Sequence, residues 1–397
     1  MTIQARKPLY DTFSRISLGF ERGDGAWLIT EKGDKYLDFT SGIAVNALGY
    51  GHPYLIKALK DQVDRLWHVS NLFENPLQIK LALRLTALSF ADKVFFTNSG
   101  AEAIECALKT ARRYHYMNGH PERFRIITFE GAFHGRTLAT LAAGGNPNSF
   151  EGLGPKLEGF HQVSFFDKSA LLSEINEETA AIMIEPIQGE GGVRLVSHEL
   201  LRFLRDLCNQ KGLLLIFDEV QCGIGRTGEL FAYEWAGVSP DIMGIAKAIG
   251  GGFPLGACLA TAEAAKGMTV GTHGSTFGGN PLAMVVGNAV LDIILEDGFL
   301  DRVKKMAYIL ENGLSQVVSR YPSIVNGMEG FGLLVGLKCA ISSAEVISAM
   351  RNVNLLAVGA SRNIVRLLPP LNILEDDLYE GLSRIEKAIA HLAKKIL

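Results

Sequence analysis

Two residues of opposite charge each end a short apolar segment of the chain. Asp218 directly follows the run Leu213–Phe217, and Lys247 directly follows the run Ile242–Ala246. Short apolar runs that are rich in branched side chains are typical of buried strands in a parallel sheet. Because ligands in open α/β sheets bind outside the carboxyl ends of the strands, we expect this carboxylate and this amine to face one crevice.

The chemistry of this pair fits one class of cofactor. A solvated loop lysine is the simpler interpretation of Lys247, but Asp218 favours burial, because two buried charges are tolerated when each has a partner. A desolvated amine has a lowered pKa and bonds readily to an aldehyde, and a carboxylate can keep a pyridine nitrogen protonated. Pyridoxal phosphate carries both groups, so the pair predicts a site for it. Gln221 is then placed to donate to the phenolic oxygen of the ring.

A third segment offers a place for a phosphate group. The predicted strand Val94–Thr97 is followed by a turn of small residues and the start of a helix. Unpaired N–H groups and the helix dipole make such a start an anion site, here at Ser99, Gly100 and Ala101. A plain capped helix is the alternative, because Ser99 followed three residues later by Glu102 forms a capping box.

Charged side chains that suit a carboxylate substrate follow other strands. Arg136 offers a bidentate fork, and the nearby Phe133 can stack on a flat ring. Arg366 is a charge inside an apolar strand and needs a counterion, for which Glu190 or a dicarboxylate substrate would serve. The alternative for Phe133 is a core phenylalanine, and the alternative for Arg136 is a surface ion pair.

The elements around these residues predict an α/β fold. From about residue 90 to 260, apolar strands alternate with amphipathic helices, which indicates a mostly parallel sheet of the seven-stranded type wrapped by helices. The first fifty residues predict a hairpin, and the last hundred predict helices and short strands of α+β type. We therefore expect an N-terminal segment, 1–55, whose hairpin joins the small domain, a large cofactor-binding domain, 56–295, and a small domain, 296–397.

Composition argues against several other classes of protein. Of 397 residues, 48% are apolar and 20% are charged, as in ordinary globular proteins, and the net charge of −3 gives no basis for binding nucleic acid or a membrane surface. No signal segment or bilayer-spanning stretch is expected. The five scattered cysteines have no metal-ligand spacing, and this predicts a reduced, cytoplasmic protein without a bound metal.

One motif supports a rival hypothesis. Gly223–Gly228 matches GxGxxG, which is typical of nicotinamide-dependent oxidoreductases. However, Asp218–Cys222 separates the strand from the first glycine, and the acidic residue expected about twenty positions later is missing. A non-catalytic interaction module is a third hypothesis, and it leaves the polar, glycine-lined strand ends unexplained.

From about Tyr10 to the C-terminal helix, the chain resembles the fold-type I, class III aminotransferases. The segments that carry the resemblance are Tyr36–Phe39 with Gly42–Asn46, Asn98–Glu102, Phe133–Thr137, Glu185–Glu190, Asp218–Gln221, Lys247 with its glycines, and Ser275–Pro281. The resemblance implies a homodimer with active sites at the subunit interface. It also implies that Lys247 binds the cofactor and moves the proton, and that Asp218 partners the ring nitrogen.

The resemblance assigns the remaining contacts residue by residue. Its cofactor contacts are Ser99, Gly100, Ala101, Phe133, Asp218, Glu219, Val220, Gln221, Lys247 and, from the other subunit, Thr276. Its substrate contacts are Arg136, Glu190, Ser275 and Arg366. Arg136 is expected to clamp an α-carboxylate, while Glu190 masks Arg366 for the amine substrate and uncovers it for 2-oxoglutarate. Residues that depart from the family pattern without removing a catalytic group are Phe13, Ile104, Cys222 and Glu329.

Within this family we expect the amino donor to be N-acetylornithine and the acceptor to be 2-oxoglutarate, as in arginine synthesis. Succinyldiaminopimelate, succinylornithine, ornithine and 4-aminobutyrate are alternative donors on the same fold, and an aminomutase is a further alternative. A carboxylate clamp at Arg136 favours ornithine-like amines over 4-aminobutyrate.

Overall fold

The computed structural model describes residues 8–144, 149–165 and 167–396, and the first seven residues, for which no signal segment is expected, lie outside this part. Its strands are β1 (Arg22–Asp24), β2 (Trp27–Ile29), β3 (Lys35–Asp38), β4 (Lys93–Thr97), β5 (Arg125–Phe129), β6 (Phe160–Val163), β7 (Thr179–Ile184), β8 (Ile187–Gln188), β9 (Arg194–Leu195), β10 (Leu214–Asp218), β11 (Ile242–Ile245), β12 (Gly256–Ala260), β13 (Val325–Phe331), β14 (Leu334–Cys339), β15 (Leu355–Leu356), β16 (Val358–Ala360) and β17 (Ile364–Leu367).

The helices connect and cover these strands. They are α1 (Ser41–Ala44), α2 (Pro53–Val63), α3 (Pro76–Ala87), α4 (Gly100–Met117), α5 (Leu138–Gly144), α6 (Lys168–Glu174), α7 (His198–Lys211), α8 (Pro281–Ile294), α9 (Phe299–Arg320), α10 (Ser343–Asn352) and α11 (Glu375–Ile396). Short 3₁₀ turns lie at Ala232–Ala236, Lys247–Gly250 and Ala264–Gly267. Within the described ranges, none of the helices combines the length and the apolar character that a bilayer crossing needs.

A seven-stranded sheet forms the centre of the molecule, in the order β4-β12-β11-β10-β7-β5-β6. Strand β12 runs antiparallel to both of its neighbours, and the pairs from β11 to β6 are all parallel. The carboxyl ends of β4, β5, β7, β10 and β11 therefore meet at one edge of the sheet. This edge is where the α/β fold positions its ligand site.

Helix α7 illustrates how the sheet is covered. Ser197 caps its first turn by accepting a hydrogen bond from the N–H of Leu200, and Gly212 ends it with a left-handed φ of 64°. Its buried residues recur at helical spacing and face the sheet: Leu200, Leu201, Leu204, Leu207 and Cys208. Truncating one of these leucines to alanine is expected to cost about 2–5 kcal/mol.

Besides the two-stranded β8-β9 pair, two four-stranded sheets accompany the central one. One is antiparallel, in the order β13-β14-β17-β16, and the other joins the N-terminal hairpin to the C-terminal part in the order β1-β2-β3-β15. In the second sheet, Leu37 and Asp38 of β3 pair in parallel with Leu355 and Leu356. The hairpin therefore packs with the segment that follows residue 296.

The predicted α/β class is confirmed, with a mostly parallel seven-stranded sheet. Two of its strands, β6 and β12, were not predicted. Strand β6 lies at an edge of the sheet and has partly exposed polar residues, His161 and Gln162, at its centre. Strand β12 consists mainly of small residues, including Gly256 and Ala257. Both sequences lack the long branched apolar pattern that identifies a strand.

Candidate active site

A cavity of about 420 Å³ opens at the carboxyl edge of the central sheet. Most of the predicted site residues line it, although they come from widely separated parts of the sequence. Those residues are Ser99, Gly100, Ala101, Phe133, Arg136, Glu190, Asp218, Val220, Gln221 and Lys247. The fold therefore brings together the strand ends that the sequence singled out.

Lys247 stands at the end of β11 in an unusual backbone conformation. Its φ is 50°, which is rare for a residue other than glycine, and such strain recurs at functional sites. The side chain is half-buried and lines the cavity. Burial lowers the pKa of Lys247 to about 8, and the positive charge of Arg366 contributes to the decrease. A substantial fraction of the amine is therefore neutral near physiological pH.

Asp218, at the end of β10, is held by two donors. The N–H of Val220 donates to Oδ1 at 3.0 Å, and Nδ1 of His134 donates to Oδ2 at 2.7 Å. The His134 side chain is fully buried. Burial alone would lower the pKa of His134, but the hydrogen bond and charge of Asp218 outweigh it and raise the pKa. Lone pairs on both carboxylate oxygens are left for a further donor, such as a protonated ring nitrogen.

Glu185 is a second buried carboxyl group at the same edge. Its oxygens accept hydrogen bonds from the N–H of Phe133 at 2.8 Å and from the N–H of Gly189 at 3.3 Å. Burial, followed by the negative charge of Asp218, raises the pKa of Glu185. The residue thus ties the loop that carries Phe133 to the loop that precedes Glu190. Sequence reasoning assigned no role to either Glu185 or His134.

The start of α4 combines a cap with an open cradle. Ser99 Oγ accepts from the N–H of Glu102 at 3.2 Å, and Glu102 accepts in turn from the N–H of Asn98 at 2.8 Å. The capping alternative therefore describes the Ser99 side chain. The first-turn N–H groups of Gly100 and the next residue have no partner within the helix and border the cavity. A Cβ at Gly100 would lie 2.6 Å from Val220, so only glycine fits there.

Phe133 and Arg136 form one wall of the cavity. Phe133 is 39% exposed, and the guanidinium carbon of Arg136 lies 5.3 Å from the centre of its ring. Arg136 is exposed, and its Nη1 donates to Ser149 Oγ at 3.3 Å. Both residues also line a second cavity of about 520 Å³, which shares part of its lining with the first. The arginine fork can therefore turn toward a ligand from the mouth of the site.

Arg366 lies behind the cavity wall and is fully buried. Its Nη2 is 2.6 Å from Glu190 Oε1, and its Nη1 donates to Gln221 Oε1 at 2.8 Å. The contact with Glu190 is an ion pair without hydrogen-bond alignment, because Nη2 and Nε have no aligned acceptor among the described residues. Glu190 is itself about one-third exposed. This partner is therefore easier to displace than the amide of Gln221.

Other predicted site residues do not line the cavity. The Glu219 carboxylate turns away from it and accepts from the N–H groups of Ala232 at 2.6 Å and Tyr233 at 2.9 Å. Burial raises the pKa of Glu219 to about 8. Ser275 Oγ accepts from the N–H of Gly278 at 2.9 Å, while Thr276 is exposed outside the cavity.

The motif of the rival hypothesis has the wrong structural context. Gly223–Gly228 forms a series of turns that leads to the 3₁₀ segment Ala232–Ala236, whereas a dinucleotide fingerprint opens an α-helix.

The nearby Cys222 is buried, with Sγ 3.9 Å from the carbonyl oxygen of Asp218. Glu329, which departs from the family pattern, pairs with Arg362 at 3.2 Å. Among residues 8–144, 149–165 and 167–396, no cluster of side chains is suited to holding a metal ion.

Comparison with known proteins gives one consistent result. The sequence profile described as Aminotransferase class-III matches residues 11–389. Acetylornithine aminotransferase from Brucella melitensis is 61% identical, over 97% of this chain and 96% of its own. The crystal structure of ornithine aminotransferase from Toxoplasma gondii superposes with a TM-score of 0.94 at 29% identity, covering 98% of this chain and 94% of that one. N-acetylornithine aminotransferase from Stenotrophomonas maltophilia gives a TM-score of 0.84 at 35% identity, with 96% and 97% covered.

Proposed function

The chain belongs to the class III aminotransferases, which depend on pyridoxal phosphate, and we propose that it transfers the terminal amino group of N2-acetyl-L-ornithine to 2-oxoglutarate. The products are N-acetyl-L-glutamate 5-semialdehyde and L-glutamate, as in arginine synthesis. The observation that carries the proposal is 61% identity, over 97% of the chain, to a relative that is named for this donor. A cytoplasmic location is part of the proposal.

The cavity suits the cofactor on chemical grounds. When bound, pyridoxal phosphate supplies an electron-accepting ring that stabilises negative charge on a substrate carbon. Lys247 would provide the amine that holds the aldehyde of the cofactor. With a pKa of about 8, it can also take and return a proton near neutral pH. Proton transfer by a positioned group contributes on the order of 10²–10⁴-fold to the rate.

Other residues fix the position of the ring. Asp218, kept in place by its two donors, would accept from the protonated ring nitrogen, and the exposed ring of Phe133 would stack on the cofactor. The N–H groups at the helix start, Gly100 and Ala101, would hold the phosphate. Gln221 would donate to the phenolic oxygen.

Arg136 is the proposed clamp for the α-carboxylate of the amine substrate. It stands at the mouth of the cavity with a planar fork that matches a carboxylate. Glu190 neutralises Arg366 while this substrate is bound, and it leaves when a dicarboxylate takes its place. One site then serves a substrate that has one carboxylate and a substrate that has two.

We further propose a homodimer, in which Ser275 and Thr276 act across the subunit interface. Large apolar side chains are exposed near these residues, with Trp67 at 60% and Phe277 at 61%. Asn71 links the two segments by donating to the carbonyl oxygens of Ser275 and Gly278 at 3.0 Å. A second copy would cover this surface, and sedimentation equilibrium at micromolar concentration is expected to give twice the chain mass.

The expected division into a large domain, 56–295, and a small domain, 296–397, which the hairpin joins, remains part of the proposal.

A panel of amine donors with 2-oxoglutarate tests the proposed substrate. Glutamate formation is expected to be fastest with N-acetylornithine, and Arg136→Ala is expected to raise the KM for that donor steeply. Arg113→Ala, at an arginine whose Nε bonds to the Gly267 carbonyl far from the cavity, is the matched control. Faster turnover of 4-aminobutyrate, or an unchanged KM in Arg136→Ala, would contradict the proposal.

A further inference from the structure

The side chain of Gln221 is held between two neighbours, Arg366 and the backbone at Gly189. Its Oε1 accepts from Arg366 Nη1 at 2.8 Å, and the same residue lines the cavity. A Cβ on Gly189 would lie 1.9 Å from that oxygen, so the loop before Glu190 packs directly against the amide. Gln221 therefore contacts the buried Arg366 and also borders the cavity.

The chemistry of the pair decides which end of the amide faces which neighbour. A guanidinium group has only donors, whereas the glutamine amide has an oxygen that accepts and a nitrogen that donates. The oxygen must therefore face Arg366, and the nitrogen faces away from it. In this orientation the Gln221 nitrogen is left as a donor on a residue that lines the cavity. If Arg366 were absent, the amide could turn over and present an acceptor instead.

We propose that Gln221 is a positioning residue that transmits the state of Arg366 to the ring, because Arg366 fixes the amide orientation and thereby the donor that meets the phenolic oxygen. This inference rests on the proposed binding of pyridoxal phosphate in this cavity, but not on the identity of the amine donor. Exchange of Glu190 for a substrate carboxylate leaves the amide orientation unchanged, because the guanidinium group still only donates. It reaches the ring through the amide to the extent that it changes the hydrogen bond from Arg366 to Gln221.

Arg366 also acts on its surroundings through its charge alone, so the test must separate two effects. Among the groups that face Lys247, Arg366 lowers its pKa, and Glu190, Asp218 and Glu185 oppose that effect. A purely electrostatic influence of Arg366 does not depend on the Gln221 amide. An influence that passes through the amide disappears when the amide is removed.

A double-mutant cycle on the visible absorption of the loaded protein makes this separation. The variants are Arg366→Met, Gln221→Met and the double substitution, and the measured quantity is the apparent pKa of the visible band. Arg366→Met is expected to shift the apparent pKa of the visible band. We expect this shift to be at least about twofold smaller when residue 221 is already methionine, because residues in contact have non-additive effects. Equal effects in both backgrounds would overturn the proposal.

A second measurement avoids the double variant in case it fails to fold. Glutarate, an unreactive dicarboxylate, is titrated into the wild-type protein and into Gln221→Met. The proposal predicts that saturation with glutarate shifts the apparent pKa of the band in the wild-type protein and shifts it less in the variant. Identical shifts would contradict the relay. A protein that never forms the visible band would instead contradict the proposed cofactor chemistry.

Discussion

Two arginines are fully buried, Arg226 in the loop after β10 and Arg366 in strand β17. Their partners differ in kind. Arg366 faces the Glu190 carboxylate and the Gln221 amide. Arg226 instead donates through Nη1 to the carbonyl oxygens of Leu333 at 3.1 Å and Pro369 at 2.5 Å. No carboxylate pairs with Arg226 among the described residues. Burial lowers its pKa to about 9.

The difference separates a structural joint from a binding group. Backbone carbonyls cannot leave, so Arg226 holds the ends of β14 and β17 against the turn that contains it. A carboxylate side chain on a loop can leave, so Arg366 is able to exchange one anion for another. A buried charge that has a displaceable counterion is therefore the better candidate for contact with substrate.

The largest expected effect follows from removing the exchangeable arginine. Arg366→Leu is expected to cost about 2–5 kcal/mol in the reaction with 2-oxoglutarate, because a charged partner of the second carboxylate is lost. The amine half-reaction is expected to change less than about tenfold. Stopped-flow measurement of each half-reaction gives both values, and Arg362→Leu is the surface control. Equal losses in both half-reactions would make Arg366 a structural residue.

Removal of the other arginine is expected to affect stability instead. Arg226→Met leaves two buried carbonyl groups without their donor, at a cost of about 1–3 kcal/mol in the free energy of unfolding. The ratio of the two half-reaction rates is expected to stay as in the wild type. Chemical denaturation checks the first value, with Arg226→Lys as the conservative control. A selective loss of the 2-oxoglutarate reaction would erase the contrast between the two arginines.

The counterion gives a smaller effect. Glu190→Gln removes the charge that competes for Arg366, and about 1 kcal/mol is expected because Glu190 is partly exposed. The reaction with 2-oxoglutarate should become about fivefold faster at subsaturating concentration. The apparent affinity for that substrate is the quantity to measure, with Glu130→Gln as the control. Weaker binding in Glu190→Gln would show that Glu190 assists the dicarboxylate instead of competing with it.

The last prediction concerns the pH dependence of cofactor attachment and needs no substitution. The pKa of Lys247 is lowered to about 8, so the neutral, reactive amine predominates above that pH. Attachment of the cofactor to the cofactor-free protein should therefore quicken about tenfold per pH unit below pH 8 and level off above it. The growth of visible absorption after mixing measures the rate. A rise that continues to pH 10 would indicate a solvated lysine.

The strand ends were predictable because their pattern is local. Apolar runs such as Leu213–Phe217 identify buried strands, and the edge rule for parallel sheets brings their last residues together. The side-chain pairs were not predictable, since His134 meets Asp218 only through the loop geometry of two different strands. Arg226 lies in the motif Gly223–Gly228, which is typical of dinucleotide binding. No pattern in the neighbouring sequence indicates that its side chain is buried.

Glu219 shows a further limit of a motif. Asp218 and Glu219 are adjacent, and successive side chains of an extended chain point to opposite faces. Asp218 lines the cavity, while Glu219 bonds to the backbone of the next 3₁₀ segment. One continuous segment of the family pattern therefore contains a residue that faces the cavity, Asp218, and a residue that holds the surrounding backbone, Glu219.

Reduction of the loaded protein with borohydride, followed by peptide mapping, tests the assignment of the reactive amine most directly. The treatment makes the bond between lysine and cofactor permanent, and mass spectrometry locates it. We predict that the modification lies on Lys247 and that Lys247→Ala carries none. Modification of another lysine in the wild-type protein, or no modification at all, would contradict the account of this cavity.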